Sequence, residues 1–239
     1  LLVVTMVRTR KVKEKYFAME RYLTPIRESL KGRITGEQLK TKTLVVITSN
    51  RGLCGAFNKL VIAKANQFLQ ENPATGLVVL GKNGAEYYRR RKQPLLFQNY
   101  DSVEKPTFAG TKKIFKQLFE LGSEIHVAYN VYRSTVSQIP TIVRLCPLPD
   151  ELISAGEPQE LILEPDPQTL VERLYYHYLE VCLFQIILNS SMGELGSRFM
   201  ILKGAVDTSK EMSDDLSLSI NKARQAAITS DLLEIVSAA

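Results

Sequence analysis

Apolar side chains recur along this chain at three spacings, and each predicts a different kind of element. After Pro167, leucine, isoleucine, valine and alanine return every third or fourth residue, and no further proline interrupts them. Asp166 can cap such a helix, and Pro167 suits its first position. The pattern predicts one helix of about 70 residues, ~105 Å long at 1.5 Å rise per residue. A helix several times the usual globular length is not explained by packing within one compact domain. Its last two thirds narrow to a 4-3 seam at Leu195, Phe199, Leu202, Val206, Ser209, Ser213, Leu216, Ile220, Ala223 and Ala227. Gly193 and Gly196 offer a place to break it, since each mid-helix glycine costs about 1 kcal/mol relative to alanine. The seam starts at once beyond them, which favours continuity.

Residues 1–30 carry a second seam at Leu2, Thr5, Thr9, Val12, Tyr16, Met19, Leu23, Ile26 and Leu30, with a kink expected at Pro25. Stripes this narrow need partners. The economical arrangement is an antiparallel coiled coil, with residues 1–30 along Ser190 to Ile220 and Leu30 beside the Gly196 end. On that register Ile228, Leu232, Leu233, Ile235 and Val236 lie beyond any partner within the chain.

The middle of the chain changes period. Thr43 to Thr48 is a continuous apolar run of strand length, as expected for a strand buried on both faces. Leu77–Leu80 and a short stretch near Leu95–Phe97 follow, with helices expected near 56–70, 82–92 and 107–121. Glu124–Arg133 and Ser137–Leu145 predict a hairpin, with Pro140 restricting the last strand to a sheet edge. The fold class expected is α/β: a Rossmann-like, mostly parallel sheet domain inserted between two long terminal helices that form an antiparallel coiled coil. The boundaries are 1–36 for the first helix, 37–150 for the domain, 151–167 for a Pro- and acid-rich connector, and 168–239 for the long helix.

Composition removes several function classes. With 239 residues and 45% apolar content the chain suits a folded protein, and no apolar run approaches the ~20 residues of a membrane span. Leu1–Val4 is too short for a signal-peptide core. The first residue is not methionine, so the encoded start is expected to lie elsewhere. Cys54, Cys146 and Cys182 stand far apart without a CxxC, which points to a reducing compartment and away from a zinc site. A net charge of +6 permits an acidic partner without demanding nucleic acid.

The turn Gly52-Leu53-Cys54-Gly55, between a buried strand and a helix, sits where nucleotide phosphates often bind. It fails in detail. A Walker loop needs GxxxxGK[ST], whereas Ala56 follows Gly55; a dinucleotide fingerprint needs a third glycine and an acid near the end of the second strand, where Gly81-Lys82 stands. Gly52, Cys54 and Gly55 are therefore read as a structural turn. His126 and His177 are the only histidines, which excludes a histidine metal cluster, and Asp214-Asp215 lies on an expected exposed helix face. No catalytic residue, cofactor site or metal site is assigned. A nucleotide-binding α/β enzyme dimerising through its terminal helices stays as the alternative.

The stretch Thr48 to Asn58, reading TSNRGLCGAFN, resembles the gamma subunit of F-type ATP synthases. So do Val127-Ala128-Tyr129-Asn130, Gln138-Ile139-Pro140-Thr141, and Leu163 to Pro167. The closing run Asn221 to Thr229 and Glu234-Ile235-Val236 also resembles that family, and the blocks keep its order. Asn50 departs from the family's aspartate, and Gly193, Gly196 and Gly204 from its alanines. The family's N-terminal motif is echoed only faintly at Thr5-Met6-Val7, so the chain is expected to start partway along the first helix.

The resemblance implies a non-catalytic central-stalk rotor. Its partners would be the alpha and beta subunits of the alpha3-beta3 ring, the epsilon subunit and the membrane c-ring. It implies peripheral association with the cytoplasmic face of the bacterial plasma membrane, and no nucleic acid. Arg224, Gln225 and Thr229 would contact beta subunits, with Ile228, Leu232, Leu233, Ile235 and Val236 as an apolar tip in the ring's collar. The cysteine-bearing insert of the plastid form is absent, so thiol switching is not expected.

Overall fold

The apolar runs of the middle segment become strands buried on both faces. The computed structural model describes residues 2–34, 39, 41–148 and 166–237. Strands β1 (Lys42–Ile47), β2 (Gly76–Leu80), β3 (Phe97–Asn99), β4 (Glu124–Tyr132) and β5 (Gln138–Cys146) form one sheet in the order β3-β2-β1-β4-β5. All neighbours are parallel except β4 and β5, an antiparallel hairpin at one edge. Pro140 sits on that edge strand, where its missing N–H breaks no ladder.

Alternation along the central strands serves two cores. Leu44 and Val46 of β1, Leu77 and Val79 of β2, and Ala128 of β4 face α2 (Phe57–Glu71) and α3 (Lys82–Arg90) through Val61, Ile62, Ala65, Ala85 and Tyr88. Val45, Ile47, Val78, Leu80, Ile125 and Val127 face the other way. There they meet α5 (Phe108–Phe119), reached through the short α4 (Asp101–Glu104), together with both terminal helices. Such two-sided burial explains why these strands read as unbroken apolar runs rather than alternating ones. Each fully buried aliphatic side chain contributes roughly 1.5–3 kcal/mol.

The terminal helices are α1 (Leu2–Leu30) and α6 (Pro167–Ser237), both continuous. Asp166 caps α6 by accepting from the Thr169 hydroxyl and from the Thr169 N–H (3.0 Å for the latter), and these two bonds, the hydroxyl's first, hold its carboxyl below the ordinary range. No break occurs at Gly193 or Gly196, and α1 runs through Pro25. Every expected seam position of α1 is buried or half-buried, led by Thr5, Leu23, Ile26 and Leu30.

The pair is antiparallel, but its register differs from the expectation. Tyr22 hydrogen-bonds His177 near the start of α6 at 3.0 Å. At the other end of α1, Arg8 acts electrostatically on Glu104, which is paired to Arg51, whose carbonyl accepts from Arg198. Leu30 therefore lies towards the beginning of α6, in one core with Tyr178, Leu179 and Leu183, and the Leu2 end lies nearer Gly196. The seam of α1 fits either register. The face between 171 and 188 wins because α5 and the sheet bury it as well. The connector expected over 151–167 falls outside the described residues as far as residue 165.

Candidate functional site

In an open α/β sheet, ligands bind beyond the carboxyl ends of the strands, at the point where the strand order reverses. Here that point lies between β1 and β4, where Asn130 Nδ2 of β4 donates to the Phe57 carbonyl at the start of α2 (2.8 Å), and the neighbouring crevice between β1 and β2 is closed by the protein's own atoms. The first amides of α3 are already engaged: Lys82 N–H donates to Asn50 Oδ1 (3.0 Å), Asn83 N–H to the Ser49 carbonyl (3.1 Å) and Gly84 N–H to Thr48 Oγ1 (2.9 Å). These are the donors a phosphate would need. Asn83 Nδ2 and Asn58 fasten Ser49 from two further sides. A Cβ at position 81 would sit 2.2 Å from the Thr48 carbonyl, so the backbone itself closes this crevice.

The turn after β1 differs in one respect from its sequence reading. Leu53 and Gly55 take left-handed backbone angles (φ 58° and 56°), whereas Gly52 does not. Gly55 meets the steric requirement at no cost, and Leu53 bears it as a bulky residue. Between them Cys54 is buried, with its Sγ 3.3 Å from Asn58 Nδ2 and 3.5 Å from Ser49 Oγ.

Helix α6 crosses the carboxyl end of β4, next to the place a ligand would take. Asn189 Oδ1 accepts from the Tyr132 N–H (2.7 Å), and Ser197 Oγ donates to Gln138 Oε1 (2.8 Å). A Cβ at Gly193 would lie 3.3 Å from both Gln138 and Phe57; one at Gly196 would lie 3.4 Å from Thr135 and Tyr132. The two glycines thus let the helix backbone approach the hairpin closely. One turn on, Arg198 bonds Glu194 (2.6 Å) and the Gly52 and Arg51 carbonyls (3.4 Å each). Burial pushes the Glu194 carboxyl above its ordinary range, and the Arg198 charge offsets part of that. Sequence reasoning missed this clasp. Its signal was an i,i+4 Glu–Arg pair set between glycines.

Beyond Leu202 the same helix continues with every described side chain exposed. Leu216, Ile220, Leu233 and Val236 are 63–74% exposed. The expectation that α1 would cover the helix as far as Ile220 does not hold, because the lower register ends the coiled coil some twenty residues earlier. Residues 203–237 form a bare shaft ~50 Å long. Arg224, Gln225 and Thr229 lie within two turns of one another on it, all exposed, with Thr229 Oγ1 donating to the Gln225 carbonyl (2.8 Å). Ile228, Leu232, Leu233, Ile235 and Val236 follow, also exposed. Among the described residues no group of His, Cys, Asp and Glu could hold a metal ion, and no helix is long and apolar enough to cross a membrane.

The family model for ATP synthase matches residues 2–239. The gamma chain of ATP synthase from Alkaliphilus metalliredigens is 33% identical over 217 residues, spanning 86% of this chain and 75% of that protein. The gamma chain from Symbiobacterium thermophilum is 37% identical over 213 residues, 85% and 73% of the two lengths. The chain belongs to the ATP synthase gamma chain family. Its fold matches the rotor of Euglena gracilis mitochondrial ATP synthase, with a TM-score of 0.66 at 19% identity over 95% of this chain and 91% of that one. A central-stalk chain from Tetrahymena thermophila mitochondrial ATP synthase matches at a TM-score of 0.58 and 21% identity, over 85% and 99%. Helix α1 packs on the lower part of α6 of the same chain, while the described side chains of 203–237 stay exposed.

Proposed function

We propose that this chain is the central-stalk rotor of a proton-translocating ATP synthase, with the α/β domain of residues 37–150 as its foot and residues 203–237 as its drive shaft. The observation that carries the reading is the bare shaft: a continuous helix with an apolar stripe and no partner among the described residues, beside a crevice filled by the domain itself. Burying the five tip side chains is worth roughly 1.5–3 kcal/mol each, so the tip should occupy a socket. The collar of an alpha3-beta3 ring supplies one, while epsilon and the c-ring meet the foot. The assembly is membrane-associated, at the cytoplasmic face of the bacterial plasma membrane.

Rotation changes affinity at the three beta sites only if the shaft contacts their states differently; equal contacts would shift no equilibrium. Arg224, Gln225 and Thr229 make those contacts, through charge-assisted hydrogen bonds formed and broken at each step. The test is Arg224→Ala with Gln225→Ala. Both replacements favour helix, so the free subunit stays folded. ATP synthesis and hydrolysis by the assembled complex should each fall severalfold. Assembly and turnover at the wild-type rate would remove these residues from torque transfer.

A further inference from the structure

The end of the foot opposite the shaft carries a basic patch that the fold does not require. Strands β1, β2 and β4 are parallel, and α6 leaves the domain past their carboxyl ends, where Arg198 meets the Gly52 carbonyl. Helix α3 runs back from β2, so its last turn lies at the amino ends of the strands, where the Leu96 N–H bonds the Leu77 carbonyl (2.8 Å). Residues Arg89 to Asn99 hold four cations (Arg89, Arg90, Arg91 and Lys92) and no acid. All four are exposed. Glu86 faces Arg90 from 4.0 Å but is shared with Lys82 (3.8 Å). Among the described residues no carboxylate pairs with Arg89, Arg91 or Lys92.

The helix dipole accounts for part of this, since its negative end favours cations in the last turn. Arg91 and Lys92 lie beyond that turn. The Arg91 guanidinium stacks on the Tyr87 ring, 4.0 Å from its centroid, which holds the charge in place. Lys92 takes left-handed angles (φ 56°), and the Gln93 N–H reaches back past it to the Tyr88 carbonyl (3.0 Å). Glycine fills that position of a helix end without strain, so lysine there keeps a fourth charge against the local preference. Among the cations Leu96 is 53% exposed. Arg89, Gln93, Leu95, Phe97 and Gln98 line a groove of about 350 Å³ beside it. Clustered cations with an exposed leucine between them suit the boundary of a bilayer, where apolar groups enter and charges meet phosphates. An acidic protein surface would match the charges and leave Leu96 without a use.

We infer that this patch, Arg89 to Lys92 with Leu96, rests on anionic lipid headgroups, so that the foot touches the membrane surface directly. The inference rests on the rotor reading for which end of the molecule faces the membrane.

Sedimentation of the full-length chain with lipid vesicles tests this. The chain should bind vesicles of phosphatidylcholine and phosphatidylglycerol in equal parts, and not those of phosphatidylcholine alone. Salt at about 1 M should release it, because the screening length then falls to about 3 Å. Arg89→Gln, Arg90→Gln and Arg91→Gln together should weaken binding about tenfold or more. Lys11→Gln, Lys13→Gln and Lys15→Gln remove the same charge from exposed positions of α1 and should change binding less than about twofold. An environment-sensitive dye at Leu96→Cys should shift to the blue on the anionic vesicles. The same dye at Val136→Cys, on the hairpin turn at the opposite end, should not. Binding that survives the arginine changes, or that the α1 changes abolish, would overturn the inference. So would a dye shift at Val136→Cys alone, or capture by polyglutamate with none by vesicles, which would make the partner an acidic protein. Entry into the ring is scored separately by co-sedimentation. A chain that binds vesicles through this patch but stays outside the ring overturns the rotor reading and leaves the lipid contact standing.

Discussion

One helix, α6, lives in two environments, and the contrast between them separates what a hydrophobic pattern says from what it leaves open. Between 178 and 196 its side chains enter a core shared with α1, α5 and the sheet, and two glycines let its backbone press against the β4–β5 hairpin. Between 203 and 237 leucine and isoleucine recur just as regularly, yet they are exposed, and Gly204 has open space around it. Periodicity therefore reports that a face wants covering. Whether it is covered within the chain depends on which other elements reach it. In this molecule the foot is a self-sufficient domain, and the shaft is an interface awaiting its partner.

The largest expected effect lies in the lower half. Leu183→Ala should lower the stability of the free subunit by about 2–5 kcal/mol in chemical denaturation, since Leu183 is fully buried. Leu218→Ala, the same change on the shaft, should stay within about 0.5 kcal/mol. Equal losses would erase the distinction between foot and shaft. The next effect sharpens the role of the glycines. Gly193→Val should cost about 1–3 kcal/mol by overpacking against Gln138 and Phe57, whereas Gly204→Ala should raise helicity in circular dichroism and leave the global unfolding midpoint in place.

The smallest effect concerns the clasp between the two halves. Because burial raises the Glu194 carboxyl, the folded chain holds its proton more tightly than the unfolded chain does. From the ordinary carboxylate pKa of about 4.3 up to the raised folded value, this group therefore costs stability as pH rises. Glu194→Gln should flatten that part of the stability–pH profile, measured by denaturant titration against wild type. An unchanged slope would show that Arg198 fully compensates the burial.

The elements were legible because their chemistry is local. Thr43 to Thr48 read as a two-sided buried strand, and Asp166-Pro167 marked the start of α6. The α1 seam named the positions that turn inward. The register of α1 on α6 was not legible, because a 3-4 repeat looks the same after sliding along a helix. Contacts remote in sequence chose it: Tyr22 with His177 at one end, and Asn189 with Tyr132 alongside. The clasp of Arg198 on the Gly52 carbonyl is likewise a meeting of residues far apart in the chain. At the turn, glycine's conformational freedom pointed to Gly52 and Gly55; Gly55 takes left-handed angles, but Leu53 rather than Gly52 takes the others. Arg224, Gln225 and Thr229 could be placed on one stretch of helix, and no described residue covers them.

The central claim is that foot and shaft turn together as one rotor. A probe on the exposed hairpin turn, attached at Val136→Cys in an immobilised complex, reports it most directly. On adding ATP, the probe should rotate in one sense in three steps per turn, and the rate should fall severalfold with Arg224→Ala and Gln225→Ala. ATP hydrolysis at full rate with the foot stationary would contradict the account.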